Sequence, residues 1–217
     1  PCVVRSYSLY RDETSQMKPM IKLAAYSLLA LGLAACGDPT AKVGKTVVSG
    51  QAEIGGAYTL MNQDGQTVTE ADALGKPSLV YFGFSYCPDI CPTALQKMGA
   101  AQARIDPEGD KLNYIFISVD PERDTPESLK LYITANGFAK GLTGLTGTQE
   151  QIDAAKAAYK VYSQKVELED SAADYTVDHS DIMYLMDKDG KFVEFFFGKS
   201  TVPEMAARIN LHLKTGD

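Results

Sequence analysis

Apolar runs alternate with polar turns over residues 51–217 and predict a regular order of strands and helices. The run SLVYFGF, residues 78–84, predicts a buried central strand, and LNYIFISV, residues 112–119, predicts a second one. Between them, apolar side chains recur at three- and four-residue intervals from Pro92 to Arg104, which predicts a helix with proline in its first turn. The centre of the chain therefore has the order strand, helix, strand.

Capping signals predict two further helices. Thr125, which precedes a proline, is suited to cap a helix that runs to about Asn136-Gly137. Thr148 has Gln151 at capping-box spacing and is suited to open a third helix. A short strand is predicted between them, over Leu142–Leu145.

Two turn signals predict β-hairpins. Gln63-Asp64-Gly65 separates short strands at 57–60 and 67–69, and a DKDG turn separates strands at 182–186 and 192–197. A last helix follows, from Thr201 to about Leu213. This order predicts an α/β fold in which helices flank a mixed central sheet, with a β-hairpin at its amino-terminal end.

The residues before this body have the pattern of a targeting segment. From Met17, two lysines precede an apolar run, Leu23 to Ala35, that is shorter than the roughly 20 residues of a membrane-spanning helix. We therefore predict a signal peptide at residues 17–35, preceded by an over-extended gene start at residues 1–16. Residues 36–50 are mostly small and polar and are predicted to form a tether to the domain at residues 51–217.

The end of the apolar run, Leu33-Ala34-Ala35-Cys36, resembles the lipobox of bacterial lipoproteins. That resemblance implies cleavage before Cys36 and lipid attachment to it. The body would then be anchored by lipid to a membrane of the bacterial cell envelope and face the periplasm. The alternatives are a plain signal peptide with a chance cysteine and an uncleaved anchor.

Charge excludes one class of partner. The net charge is −7 at pH 7, and Arg5, Arg11, Lys18 and Lys22 all precede Cys36, so the body is more acidic than the whole chain. Because nucleic-acid binding needs clustered Lys and Arg, we expect no nucleic-acid partner.

Cys87 and Cys91, the two cysteines of the body, lie where the first central strand turns into its helix. Catalytic and ligand sites of open α/β sheets gather at this end of the strands, and the layout is that of thioredoxin. Cys91 is expected at the helix cap, where the helix dipole favours thiolate, which is both a nucleophile and a metal ligand. A structural disulfide is the weakest alternative, because so small a loop stabilises little through unfolded-chain entropy.

His179 is the candidate third group. It precedes the strand at 182–186, and in a thioredoxin-like sheet that strand runs antiparallel to the cysteine strand, so its beginning lies beside the thiols. Asp178 and Asp89 are candidates for a second layer around the site. The alternative for His179 is a buried, hydrogen-bonded histidine. His212, on the last helix, is predicted to lie at the surface.

Two thiolates and one imidazole suit copper, because soft sulfur ligands select Cu(I) and imidazole binds both copper oxidation states. Zinc usually takes a fourth ligand, and no further Cys or His lies nearby in the sequence. A thiol–disulfide reductase is the enzymatic alternative. It is disfavoured because such enzymes place a cis-proline near the position of His179, and residues 175–185 contain no proline.

Several segments together resemble the Sco/SenC family of copper proteins, over about residues 50–213. The matching segments are Gly55-Gly56, Tyr81–Phe84, Cys87–Pro92 (CPDICP), Ser118–Pro126 (SVDPERDTP), Tyr175–Ser180 (YTVDHS) and Tyr184–Asp187. The segment Ser118–Pro126 is predicted to shape the loop after the second central strand, through Asp120, Pro121, Arg123 and Asp124.

The resemblance implies a thioredoxin-like fold and a copper ion, Cu(I) or Cu(II), on Cys87, Cys91 and His179. It implies a metallochaperone rather than an enzyme, which delivers copper to the dinuclear copper site of cytochrome c oxidase during assembly. The expected partners are the copper-binding subunit of the oxidase and a thiol reductant or copper donor. The alternatives are a thiol–disulfide oxidoreductase that keeps the oxidase cysteines reduced, with Cys87 and Cys91 as its redox-active pair, and a redox sensor.

Overall fold

The computed structural model describes residues 53–168 and 173–215. The predicted signal peptide, the lipobox with Cys36 and most of the tether lie outside these residues. The strands are β1 (Thr59–Asn62), β2 (Thr67–Thr69), β3 (Ser78–Gly83), β4 (Asn113–Ser118), β5 (Leu142–Thr146), β6 (Ser163–Glu167), β7 (Tyr175–His179), β8 (Ile182–Met186) and β9 (Phe192–Phe197). The helices are α1 (Ile90–Ile105), α2 (Pro126–Tyr132), α3 (Gln149–Tyr159) and α4 (Val202–Thr215).

A seven-stranded mixed sheet forms the centre of the fold, in the order β2-β1-β5-β4-β3-β8-β9. Strand β3 pairs in parallel with β4 and antiparallel with β8, so it is central. All six of its residues are buried, as a continuous apolar run in a sheet covered on both faces requires. The predicted α/β, thioredoxin-like fold with a mixed central sheet is confirmed.

The helices form where the predicted caps lie. Thr125 accepts a hydrogen bond from the Ser128 amide at the start of α2, and Thr148 and Gln151 form a reciprocal capping box at the start of α3. Helices α1 and α4 pack against each other, α2 contacts β5 and α3 contacts β1. Among the described residues, no helix combines the length and the apolar character that crossing a bilayer requires.

Two helix boundaries differ from the prediction. Helix α1 begins at Ile90, so Cys91 lies within its first turn and is not the cap, which is Asp89. Helix α2 ends at Tyr132, four residues before Asn136, and its last carbonyls accept irregular hydrogen bonds. The Thr134 hydroxyl donates one of these to the carbonyl of Leu131. Such side-chain bonds to the backbone compete with helix continuation.

Two further features were not predicted. Strands β6 and β7 form a separate two-stranded antiparallel sheet, whereas no strand was predicted in either segment. Strand β6 (SQKVE) is mostly exposed and polar, so it has no apolar alternation to reveal it. The surface prediction for His212 is wrong: its side chain is buried on α4, whose buried face also includes Met205 and Ile209.

Helix α1 packs through fully buried side chains, and Leu95 is one of them. We expect Leu95→Ala to lower the free energy of unfolding by about 2–5 kcal/mol, because it removes apolar contacts and leaves a cavity. Denaturant titration of the reduced protein measures this. Leu131→Ala is the matched control, because Leu131 is 78% exposed, and it should change stability by less than about 0.5 kcal/mol. Equal effects of the two substitutions would contradict the packing described here.

Candidate metal centre

The two cysteines lie on either side of the junction between the loop after β3 and helix α1. A turn closes the loop, in which the Cys87 amide donates to the Phe84 carbonyl at 3.2 Å. The Cys91 amide lies in the first turn of α1 and donates to the Cys87 sulfur at 3.4 Å. Because the first amides of a helix have no partner within the helix, the Cys87 sulfur occupies a position that favours an anion.

His179 reaches the thiols from the other side of the site. It is the last residue of β7, where it pairs with Ser163 of β6. The predicted loop before β8 is therefore a strand end, fixed by hydrogen bonds between Tyr162 and Ser180. Strand β8 then begins at Ile182 and runs antiparallel to β3, with Met183 opposite Tyr81. This pairing places His179 at the cysteine end of β3.

The ligand atoms of Cys87, Cys91 and His179 all lie within 4.8 Å of one another. The Cys91 sulfur is 3.2 Å from Nε2 of His179, across 88 residues of sequence. Cys91 is fully buried, while Cys87 and His179 are partly exposed. Neither cysteine forms a disulfide. The site therefore has one inner sulfur and two groups that solvent or a partner can reach.

The neighbouring backbone fixes the orientation of the imidazole. Nδ1 of His179 is 3.1 Å from the carbonyl oxygen of Ser180, which can only accept a hydrogen bond. In the neutral ring, Nδ1 therefore carries the proton and Nε2 carries the lone pair that faces Cys91. A metal-binding histidine is commonly held in this way by a carbonyl or carboxylate behind it.

The two thiols have opposite electrostatic environments. A hydrogen bond from the Cys91 thiol has the largest effect and, together with one from the Cys91 backbone amide, outweighs partial burial and lowers the pKa of Cys87 to about 3. The same hydrogen bond to Cys87 raises the pKa of Cys91, and burial of Cys91 raises it further. In the reduced protein, Cys87 is thus the thiolate and Cys91 the thiol.

Two aromatic rings pack against the imidazole. The ring centroids of Tyr81 and Phe84 lie 6.1 Å and 5.9 Å from that of His179, both nearly perpendicular to it. The Tyr81 hydroxyl donates to Asp181 at 3.1 Å, and burial raises the pKa of Tyr81 well above its usual value. The sequence prediction did not include these two rings in the site. Both rings belong to the apolar run that leads into the cysteine loop, and that position in the sequence could have indicated that they lie beside the site.

Asp178 and Asp89 occupy different positions around the centre. Asp178 is exposed, and the alternation of β7 directs it away from the face of His179, whose Nδ1 partner is the Ser180 carbonyl. Asp89 is also exposed and is the N-cap of α1, although its side chain makes no capping hydrogen bond. Its backbone hydrogen bond contributes to the lowered pKa of Cys87.

A buried carboxylate anchors the cysteine loop to β4. Asp124 accepts hydrogen bonds from the amide and the hydroxyl of Ser85, and from the hydroxyl of Ser118 at 2.6 Å. Burial raises the pKa of Asp124, against the effect of these hydrogen bonds. Asp120, Pro121, Arg123 and Asp124 were predicted to shape the loop after the second central strand. The structure adds that Asp124 also holds the loop that carries Cys87.

The fold and the site together define a thioredoxin-like protein with a thiol, thiol and imidazole centre. The SCO1/SenC family model matches residues 47–214, and the chain belongs to that family. Protein SCO1 homolog 1, mitochondrial, of Arabidopsis thaliana is 46% identical over 149 residues, which are 68% of this chain and 43% of that protein. Protein SenC of Rhodobacter capsulatus is 43% identical over 170 residues, 78% of this chain and 75% of that protein.

A solved structure of the same family has a similar fold. The structure of Bradyrhizobium japonicum ScoI with copper bound is 44% identical, with a TM-score of 0.65 over 74% of this chain and 98% of that one. The chain spans about half the length of the first curated relatives that it matches, 43% of the plant protein and 54% of Protein SCO1 homolog, mitochondrial, of Homo sapiens.

The exposure and charge of the two thiols predict their order of alkylation. We expect iodoacetamide to label Cys87 well before Cys91, because Cys87 is partly exposed and deprotonated while Cys91 is buried and protonated. Peptide mapping by mass spectrometry at short reaction times, on the reduced full chain, distinguishes them from Cys2 and Cys36. In denaturant the two should react at similar rates. Faster labelling of Cys91 in the native state would contradict this site.

Proposed function

We propose that this protein binds one copper ion through Cys87, Cys91 and His179 and passes it to another protein. The observation that carries the proposal is that two free thiols and the Nε2 lone pair of His179 lie within 4.8 Å of one another, at the cysteine end of β3. Copper is the cargo of the protein and not a resident cofactor.

The donor set fits copper better than other common metals. Two sulfurs and one imidazole form a soft, three-ligand set, which suits Cu(I), and the imidazole can also serve Cu(II). Structural zinc usually takes four protein ligands, and the group found among the described residues has three. Calcium and magnesium need oxygen ligands, which this group does not supply.

The exposure of the site supports transfer by ligand exchange. Cys87 and His179 are partly exposed, so donor atoms of a client can replace them one at a time. Cys91, held in a buried helix turn against β3, would keep hold of the metal until the exchange is complete.

The client that we propose is the dinuclear copper site of cytochrome c oxidase. Membership of the SCO1/SenC family supports this client, and the site supplies the chemistry that it requires. A copper donor or a thiol reductant would have to act first, because only the reduced pair can bind metal.

A second candidate function is thiol–disulfide exchange with the same oxidase cysteines. The free pair, with Cys87 as thiolate, supports it. Cys87 would attack a client disulfide, and Cys91 would then displace the client thiol from the mixed disulfide, with proton transfer to the departing sulfur. The client disulfide becomes a dithiol, and the Cys87–Cys91 pair becomes a disulfide. This route does not need a lone pair on His179.

We also propose that the chain is a lipoprotein of the bacterial envelope that faces the periplasm, with its lipid on Cys36. The support is the sequence pattern alone: basic residues, a short apolar run and Leu33-Ala34-Ala35-Cys36.

Copper stoichiometry with a single histidine substitution tests the three-ligand proposal. We expect the reduced protein to bind one equivalent of copper, with thiolate-to-Cu(II) charge transfer in the absorption spectrum. His179→Ala should lower the affinity by at least about 10–100-fold and abolish or shift that band, because the site loses a direct ligand. His212→Gln is the matched control, since His212 is the other histidine of the chain, and it should keep stoichiometric binding.

Two results would oppose the proposal. Unchanged affinity in His179→Ala would remove the imidazole from the site. Absence of copper binding under anaerobic reducing conditions, with the pair still cycling between dithiol and disulfide, would favour the reductase.

Attachment to the membrane tests the lipoprotein proposal. We expect the membrane fraction of a bacterial expression host to hold the wild-type protein, and mass spectrometry to find a lipid on Cys36. Cys36→Ser should remove the lipid, while Cys2→Ser should not. A protein whose new amino terminus lies elsewhere, without lipid on Cys36, would contradict the proposal.

A further inference from the structure

We propose that Arg123 is a positioning residue for the metal centre, because it joins the loop that carries Cys87 to the strand that carries His179. This inference rests on the copper function proposed above. It concerns a residue that contacts none of the three ligands through a hydrogen bond, and it assigns a role to the DPERDT segment beyond shaping its own loop.

Arg123 contacts the cysteine loop through two aromatic rings. Its guanidinium carbon lies 4.9 Å from the ring centroid of Tyr86, the residue before Cys87. It lies 5.7 Å from the ring of Phe84, whose carbonyl accepts the hydrogen bond of the Cys87 amide. Phe84 also packs edge-on against the His179 ring, so one side chain links the arginine to both halves of the centre.

Arg123 also contacts β7, at the end of the strand opposite to His179. The guanidinium lies 3.7 Å above the ring of Tyr175, and its Nη1 donates to the Tyr175 carbonyl at 3.0 Å. Tyr175 is the first residue of β7 and His179 is the last, and the alternation of the strand directs both side chains to the same face. Fixing Tyr175 therefore fixes the strand that presents the imidazole.

The position of Arg123 is itself determined by its surroundings. Its Nε donates to Asp120 at 2.5 Å, and the Asp120 side chain is almost fully buried. Asp120 also accepts a hydrogen bond from the Tyr175 hydroxyl at 2.8 Å. The ammonium of Lys165, on β6, lies 3.8 Å from the Tyr175 ring. Cationic groups from two different elements therefore lie close to the Tyr175 ring.

Only arginine can make this set of contacts. A planar guanidinium stacks on rings with its face while its edge donates hydrogen bonds to Asp120 and to the Tyr175 carbonyl, and an ammonium group cannot do both. We call Arg123 with Phe84, Tyr86 and Tyr175 the arginine bridge. Without it, the thiol pair and the imidazole would be held by separate elements, and the entropic cost of bringing them onto one metal ion would rise.

A double-mutant cycle of Cu(I) affinity tests the arginine bridge. The four reduced proteins are wild type, Arg123→Met, His179→Ala and the double variant, each titrated with Cu(I) against a chromogenic chelator. We expect Arg123→Met to weaken binding about 10–100-fold, as substitutions behind a metal ligand typically do. In that background, His179→Ala should cost far less than it costs in wild type, because the imidazole is no longer presented to the metal.

A second signal reports on the ligand and not on the fold. In the Cu(II) forms, nitrogen hyperfine coupling from the imidazole should be weakened or absent in Arg123→Met, as in His179→Ala. Arg208→Met is the matched control. Arg208, on α4, lies 5.6 Å from the ring of Phe196, on β9, and pairs with Glu204. This substitution should leave the Cu(I) affinity within about two-fold of wild type.

The outcomes separate this proposal from the function on which it rests. The proposal fails if the loss of Cu(I) affinity in the double variant equals the product of the two single losses within about two-fold and the nitrogen signal persists in Arg123→Met. The arginine bridge would then not position the imidazole. If His179→Ala has no effect in wild type, the three-ligand site itself is wrong. If Arg123→Met does not fold, Arg123→Lys replaces it in the same cycle, because lysine keeps the charge beside Asp120 but loses the planar guanidinium that stacks on the rings. Its effect on Cu(I) affinity must then still be coupled to that of His179→Ala. Independent effects of these two substitutions would overturn the proposal.

Discussion

The antiparallel pairing of β3 with β8 is the constraint on which the site depends. It brings together groups 88 residues apart, because the end of β3 and the beginning of β8 must lie at the same edge of the sheet. Slippage by one residue would turn every side chain of β8 to the opposite face. The buried pairs Leu79–Leu185 and Val80–Tyr184 make such slippage costly. The core therefore brings the cysteine loop and the end of β7 to the same edge of the sheet, which no local feature of the cysteine loop could do.

Within this frame, chemically identical groups acquire different properties. Cys91 is in a helix turn packed against the central strand, whereas Cys87 is in the preceding loop, where its sulfur accepts a hydrogen bond from the Cys91 amide. The Cys91 sulfur is then buried and protonated, and the Cys87 sulfur is partly exposed and anionic. An anchored inner ligand and an accessible outer one suit the transfer of a metal. An accessible thiolate with a nearby second thiol equally suits thiol exchange, so both proposed functions depend on the same difference between the two sulfurs.

Much of this architecture was predictable from the sequence, because its determinants are local. The central strands are uninterrupted apolar runs, and Thr125 and Thr148 cap their helices as their neighbours require. The β6–β7 hairpin was not predictable, because its contacts are largely polar and its β6 side chains are mostly exposed. The burial of His212 was likewise hidden, since one polar residue on an amphipathic helix gives no sign of its depth. For the site, the sequence predicted that Cys87, Cys91 and His179 would lie together, and the structure brings their ligand atoms within 4.8 Å of one another. The carbonyl behind His179 and the rings around it are tertiary features that the sequence does not show.

A glycine explains why the inner thiol can lie where it does. Gly83 ends β3, and a Cβ atom at this position would lie 2.9 Å from the Cys91 sulfur and 3.0 Å from the Phe116 ring. Both neighbours are fully buried, so neither can move away cheaply. The backbone angles of a strand do not require glycine here; the close approach of the sulfur does. Glycine therefore ends the apolar strand at the point where the buried Cys91 sulfur packs against it, and the glycine in YFGF belongs to the site as much as the cysteines do.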